Sequence, residues 1–196
     1  MIPSAEQIEK VMGSKGYKVF KSPGGHDLNI VGIRSGVQQA NKFDDLITVF
    51  CKLESQWLFW AFPATTDPGA YWLENPMSEL GTAILAPGQY RRAFKIGEHQ
   101  GKYDALIQAR PLTVFRDPDR DRDLDTDGQD TETGFFGINI HCAAWQGESV
   151  QVDKWSAGCQ VIPNWFDFQV LMALASAAEK NFGPGLSYTL LEEKDF

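Results

Sequence analysis

Residues 46–62 read LITVFCKLESQWLFWAF. Runs 46–50 and 57–62 are dense in β-branched and aromatic side chains, which fit a pleated, half-buried surface. The polar stretch between them reads as the connection of a hairpin with one buried face. Working outward, the same signal recurs. Tyr17 and Val19, then Leu28, Ile30, Val31 and Ile33, predict short strands divided by the turn Ser22-Pro23-Gly24-Gly25. After the turn at 65–69, residues 83–85, 90–96, 103–108 and 112–115 are further strands, with Pro87-Gly88 making a sharp turn.

Helices are expected only at the periphery. Ser4 and Gln7 form a capping box ahead of the apolar positions Ile8, Val11 and Met12, and Gly13 and Gly16 end that segment. Pro163-Asn164 opens one long helix, with Asn164 as cap and Asp167 facing the positive end of the dipole. Trp165, Phe168, Leu171, Met172, Ala175 and Ala178 give it an apolar side, and Gly183-Pro184-Gly185 stops it before a last strand at Leu186, Tyr188, Leu190 and Leu191. The expectation is a mainly β fold with a short N-terminal helix and one long C-terminal helix. No internal repeat or linker divides the chain.

At 196 residues the chain suits one domain, or one domain with an appended lobe, and can bury a core without staples. A net charge of -8 argues against a nucleic-acid surface, which needs clustered Lys and Arg. The small basic spots at Arg91-Arg92, Lys15, Lys18 and Lys21 read as solvated surface. No apolar run approaches the roughly 18 residues that a membrane span requires. MIPSAEQIEK lacks a basic region followed by an apolar one, so no signal peptide is expected and synthesis is expected in the cytoplasm.

From Asp117 the composition changes to DPDRDRDLDTDGQD. Asp117, Asp119, Asp121, Asp123 and Asp125 occupy positions 1, 3, 5, 7 and 9 of a calcium-loop pattern, with Leu124 at the hydrophobic position 8. Arg122 stands where that pattern has glycine, and Gly128 where it has a bidentate Glu. Two readings stay open: a solvated acidic loop, or a structural Ca2+ site on these five aspartates.

The chemistry is expected between residues 137 and 162, GINIHCAAWQGESVQVDKWSAGCQVI. The stretch holds His141 and Cys159, drawn from only three histidines and three cysteines. A thiol needs a base or a positive neighbour to become a nucleophile near neutral pH, and imidazole is the usual base. Phe135, Phe136, Ile138 and Ile140 predict a strand that delivers His141 to a rim, and Ser156-Ala157-Gly158 leads into Cys159. Cys51 reads as an inert core thiol, and Cys142 points away from the face that His141 uses. His26 and His99 read as structural, or as lining a groove.

The pattern of His141, a long spacer and Ser156-x-Gly158-Cys159 resembles the catalytic signature of the YkuD-type L,D-transpeptidase family, and the chain is similar to a phage and prophage branch of it. The likeness extends over roughly residues 44 to 165, through the hairpin, the turn at 65–69 and Pro87-Gly88-Gln89-Tyr90. It implies an L,D-transpeptidase-like β-sandwich at 44–196, preceded by a helix-and-strand extension at 1–43. It further implies Cys159 as nucleophile and His141 as base, oriented by a backbone carbonyl just after the histidine. The N–H groups of Gly158 and Cys159 would form the oxyanion hole, and Ser156 would shape the turn. Gln160, Trp155 and Tyr90 are the candidates to touch substrate.

The implied partner is the peptidoglycan stem peptide, attacked through a thioester without any cofactor. Ala157 and Val161 stand where the family carries a histidine and an arginine, which shifts the expectation towards hydrolysis: a peptidase or carboxypeptidase of phage lytic type, reaching the wall through lysis or in a virion. A virion structural or wall-binding protein that keeps the fold without turnover is the alternative.

Overall fold

The computed structural model describes residues 2–126, 128, 130–144 and 147–196. Its first element, α1 (Ala5–Ser14), carries the expected capping box: the Ser4 N–H donates to Gln7 Oε1 at 2.8 Å and the Gln7 N–H to Ser4 Oγ at 3.3 Å. Strands β1 (Asn29–Arg34), β2 (Asp45–Leu53) and β3 (Gln56–Ala64) follow, the last two forming the predicted hairpin in continuous register from Asp45↔Ala64 to Leu53↔Gln56. A short helix α2 (Ala70–Glu74) comes next. It is followed by β4 (Thr82–Leu85), β5 (Gly88–His99), β6 (Tyr103–Gln108), β7 (Leu112–Asp117), β8 (Thr131–Gly134), β9 (Ile140–Cys142) and β10 (Gln160–Ile162). The long helix α3 (Trp165–Phe182) and β11 (Leu186–Glu192) complete the chain's main elements. Asn164 caps α3 through its side chain, which accepts from Phe166 N–H and Asp167 N–H.

The fold is mainly β. Eight strands run in the order β10-β9-β6-β5-β11-β1-β2-β3, and β4-β7-β8 form a second sheet. The two edges of the large sheet meet. Just beyond β3, Thr65 and Val161 exchange both backbone hydrogen bonds at 2.8 Å, so the sheet curls round on itself and removes part of its open edge.

Burial explains the strand sequences. β1 is buried at every position because it is covered on both faces. Ile30 faces the main core with Ile47, Val49, Phe94, Leu190 and the α3 residues Phe168, Leu171 and Ala175. Val31 and Ile33 face the other way and meet Ile8 and Met12 of α1 with Phe50 and Leu191. β1 lies inside the large sheet between β11 and β2, so no architectural seam separates residues 1–43 from 44–196.

Two expected strands are not strands. At 17–21 the backbone is held by side-chain amides: Lys18 bonds both ways with Gln89 at 2.9 and 2.8 Å, and Phe20 both ways with Asn29 at 2.8 and 2.9 Å. At 135–139 the same device operates. Gln108 Oε1 accepts from the N–H groups of Phe136, Gly137 and Ile138 at 3.0, 2.9 and 3.2 Å, so regular pairing begins only at Ile140. In both places a primary amide replaces a ladder partner and satisfies the backbone without a strand.

The interior carries one polar knot. Arg34, Asp45 and Asp67 are all buried. Arg34 donates to Leu85 O and Thr66 O, each at 2.9 Å, and its Nε lies 2.7 Å from Asp67 Oδ1. That last contact is ionic: the Nε–H itself is directed at Thr66 Oγ1, leaving Asp67 Oδ1 without a hydrogen bond. Asp45 accepts from Ser35 N–H, Thr66 N–H and Thr66 Oγ1 at 2.7, 2.6 and 2.8 Å. Burial and the neighbouring Asp67 charge push its carboxyl up to about 7.

Candidate active site

β9 and β10 pair in parallel with Gln160 opposite Ile140 and Val161 opposite His141. The turn before β10 delivers Cys159. Buried Ser156 stitches it, its Oγ accepting from Gly158 N–H at 3.2 Å and donating to Cys159 O at 2.8 Å. Gly158 has φ 118° and lies against the Ala83 carbonyl of β4, where any Cβ would collide, so both conformation and space demand glycine. Ser156 Oγ already engages the Gly158 N–H, one of the two donors expected to form the oxyanion hole; the Ser156 hydroxyl shapes the turn by taking that donor.

The Cys159 thiol accepts from Asn139 N–H at 3.4 Å and donates to Gly137 O at 3.6 Å. The residue keeps an opening to solvent, whereas Cys51 and Cys142 are buried. Dense packing around the sulfur pushes the thiol up to about 11, with only the Asn139 N–H acting against it.

His141 is 3% exposed. Its Nδ1 lies 2.9 Å from Cys142 O. A carbonyl only accepts, so Nδ1 carries the proton and Nε2 holds the basic lone pair. The Tyr103 hydroxyl donates to the same carbonyl at 3.1 Å. His99 stacks on the His141 ring at 4.2 Å and 18°, and its Nδ1 is 3.1 Å from the Asn139 amide. Burial, then His99, pull His141 down to about 4; the backbones of Cys142 and Trp155 oppose this. At neutral pH the site therefore rests as a neutral imidazole and a neutral thiol. Strand alternation puts Cys159 on the His141 side of the paired strands, but among the described residues no hydrogen bond joins Sγ to the imidazole.

The three expected substrate contacts separate. Trp155 stays at the rim, 44% exposed beside Ser156. Gln160 points inward and is fully buried: its Oε1 accepts from Tyr188 OH at 2.7 Å and its Nε2 donates to Thr66 O and Gly158 O at 3.2 and 3.3 Å. The period of two that turns Cys159 outward turns its neighbour into the core. Tyr90 is a latch, its hydroxyl held by Ala86 O and Thr113 O at 2.6 and 3.1 Å. Beside the turn that delivers Cys159, Ala157 borders a cleft of about 210 Å³ whose wall includes Trp72, Met77, Phe136 and Arg116.

Sequence reasoning did not single out Asn139 or Tyr103, and it left His99 as structural or groove-lining. The sign available was pairing: His99 and Tyr103 flank the tight turn of the β5–β6 hairpin and stand directly opposite each other.

The acidic loop leaves β7 and returns through β8, with strands rather than helices on either side. It is pinned by the bridge Gln39↔Asp123, by Leu124 packed with Ala40, Leu73 and Ile84, and by Arg122 on Glu74 at 2.7 Å. Asp119 and Asp121 accept from the N–H groups two residues on, at 3.3 and 3.0 Å. Burial first, then the surrounding aspartates, push Asp117 up to about 6. Among the described residues no three carboxylates converge into a ready metal centre.

No family model, no curated protein and no solved structure matches this chain.

Proposed function

We propose that the protein is a cysteine-dependent acyl-transfer enzyme acting on peptidoglycan stem peptides, with the L,D-transpeptidase-like fold that its His…Ser-x-Gly-Cys signature implies. The observation that carries the reading is the paired-strand corner. A solvent-accessible cysteine follows a glycine that only glycine can occupy, and the adjoining parallel strand bears a histidine whose Nδ1 is fixed by the next backbone carbonyl. Nε2 of His141 takes the thiol proton as sulfur attacks a peptide carbonyl. The C–N bond of the tetrahedral adduct breaks, the amine leaves with the proton from His141, and the thioester passes its acyl group to water or to an amine.

Arg116, ion-paired with Glu132 at 2.8 Å, lies on the wall of the cleft that Ala157 borders, a cation that a peptide carboxylate entering that cleft would meet. Ala157 and Val161 stand where the family carries a histidine and an arginine, which favours water as acceptor and hence a peptidase or carboxypeptidase of phage lytic type, delivered to the wall by lysis or in a virion.

Mass spectrometry of purified muropeptides tests this directly. Wild-type protein should shorten or exchange stem peptides, and Cys159→Ala should abolish the change with the melting temperature retained. Turnover that survives the substitution rejects Cys159 as nucleophile. The alternative, a wall-binding or virion protein without turnover, draws on the missing Sγ–imidazole hydrogen bond; it predicts muropeptide binding with no product from either protein.

A further inference from the structure

Asp117 sits at the C-terminal end of β7, 1% exposed. Its Oδ2 accepts from Asp125 N–H at 3.1 Å, while its Oδ1 is buried with no hydrogen-bond partner. A buried carboxylate oxygen left unpaired is costly, and such atoms call for an explanation. The surroundings add negative charge. Asp119 lies within hydrogen-bonding reach of the Asp125 carboxyl, and Asp119, Asp121 and Asp125 all act on Asp117. Two of the nearby arginines are engaged elsewhere, Arg122 with Glu74 and Arg116 with Glu132.

We propose that Asp117, Asp119 and Asp125 bind one Ca2+, with the unpaired Asp117 Oδ1 as its buried ligand. A hard divalent cation that accepts irregular oxygen geometry suits carboxylates on a loop, and Mg2+, which demands a strict octahedron, suits it less. The ion would fasten the β7–β8 loop to the strand whose neighbour, β4, supports Gly158. This site stands or falls independently of the reaction at Cys159.

The test uses full-length protein stripped with EDTA, titrated with calcium chloride in a calorimeter and melted with calcium or magnesium chloride. The expected result is a saturable one-to-one heat and a melting temperature raised by millimolar calcium more than by magnesium, with EDTA reversing it. Asp117→Asn keeps the side chain's shape and its acceptor for Asp125 N–H, and should weaken calcium binding by about tenfold or more. Asp119→Asn, on the surface, should also weaken it and keeps the test valid if the buried variant folds poorly. No heat and no thermal shift with calcium overturns the site. A calcium response equalled by magnesium, or unchanged in a folded variant, also overturns it, because it reduces to charge screening.

Discussion

Two buried ionisable clusters lie on either side of Gln160, whose amide bonds to Gly158 O on one side and Thr66 O on the other. The knot of Arg34, Asp45 and Asp67 keeps one cation beside two carboxyls that burial pushes up, and Ser35 and Thr66 donate to Asp45. The corner of His141, His99 and Cys159 removes charge instead: burial holds the imidazole and the thiol in their neutral forms. The first arrangement suits a permanent fastening across the sheet closure at Thr65–Val161. The second holds a neutral imidazole and a neutral thiol, the resting pair that the proposed acyl transfer calls for.

The comparison breaks most sharply at Arg34. Arg34→Met should leave two buried carboxyls with no cation, and cost roughly 3–5 kcal/mol of unfolding free energy by chemical denaturation. A loss below about 1 kcal/mol, the scale of a surface ion pair, would mean the knot is solvated and not a fastening.

Next in size is pH dependence, where the two clusters have opposite signs. His141 titrates near 4 in the folded protein and near 6.5 unfolded. Its contribution is therefore complete above 6.5 and is lost as pH falls towards 4, on the order of 3 kcal/mol in all. Asp45 is raised to about 7, so its contribution is complete below its unfolded value and is lost as pH rises towards 7. In wild-type protein the two slopes oppose each other between pH 4 and 7. Relative to wild type, denaturation curves across this range should tilt towards losing stability as pH rises in His141→Gln and towards losing it as pH falls in Asp45→Asn; slopes unchanged from wild type, or tilted the same way in both variants, would sink the assignment.

The smallest effect is kinetic. Iodoacetamide should label Cys159 ahead of Cys51 and Cys142, and its rate should keep climbing with pH well beyond 8, because the thiol is neutral. A rate already flat from pH 6 would reveal a preformed thiolate and end the neutral-pair description.

Much of this architecture was legible in the chain. The alternation at 46–62 placed a hairpin, Ser4 with Gln7 and Asn164 marked both helix starts, and the strands at 83–85, 103–108 and 112–115 fell where expected. The contact of His141 with the Cys142 carbonyl is the one that the family resemblance implied. Gln160 and Tyr90 did not, because a strand's residues alternate between faces and sequence cannot say which face meets the groove. Asn139 was overlooked and His99 left as structural or groove-lining because they stand 40 positions apart in the chain and meet only when β5, β6 and β9 assemble side by side.

What the sequence determined by itself is local: helix caps and hairpin periodicity are set by neighbours within a few residues. The tertiary structure decided the rest. Gln89, Asn29 and Gln108 replaced two expected ladders with amide contacts, the Gln89 contact reaching across 71 positions. The closure at Thr65–Val161 and the charge states of His141, Cys159, Asp45 and Asp117 likewise depend on residues brought together from afar. Desolvation and hydrogen-bond completion are properties of the surroundings, and those exist only once the chain has folded.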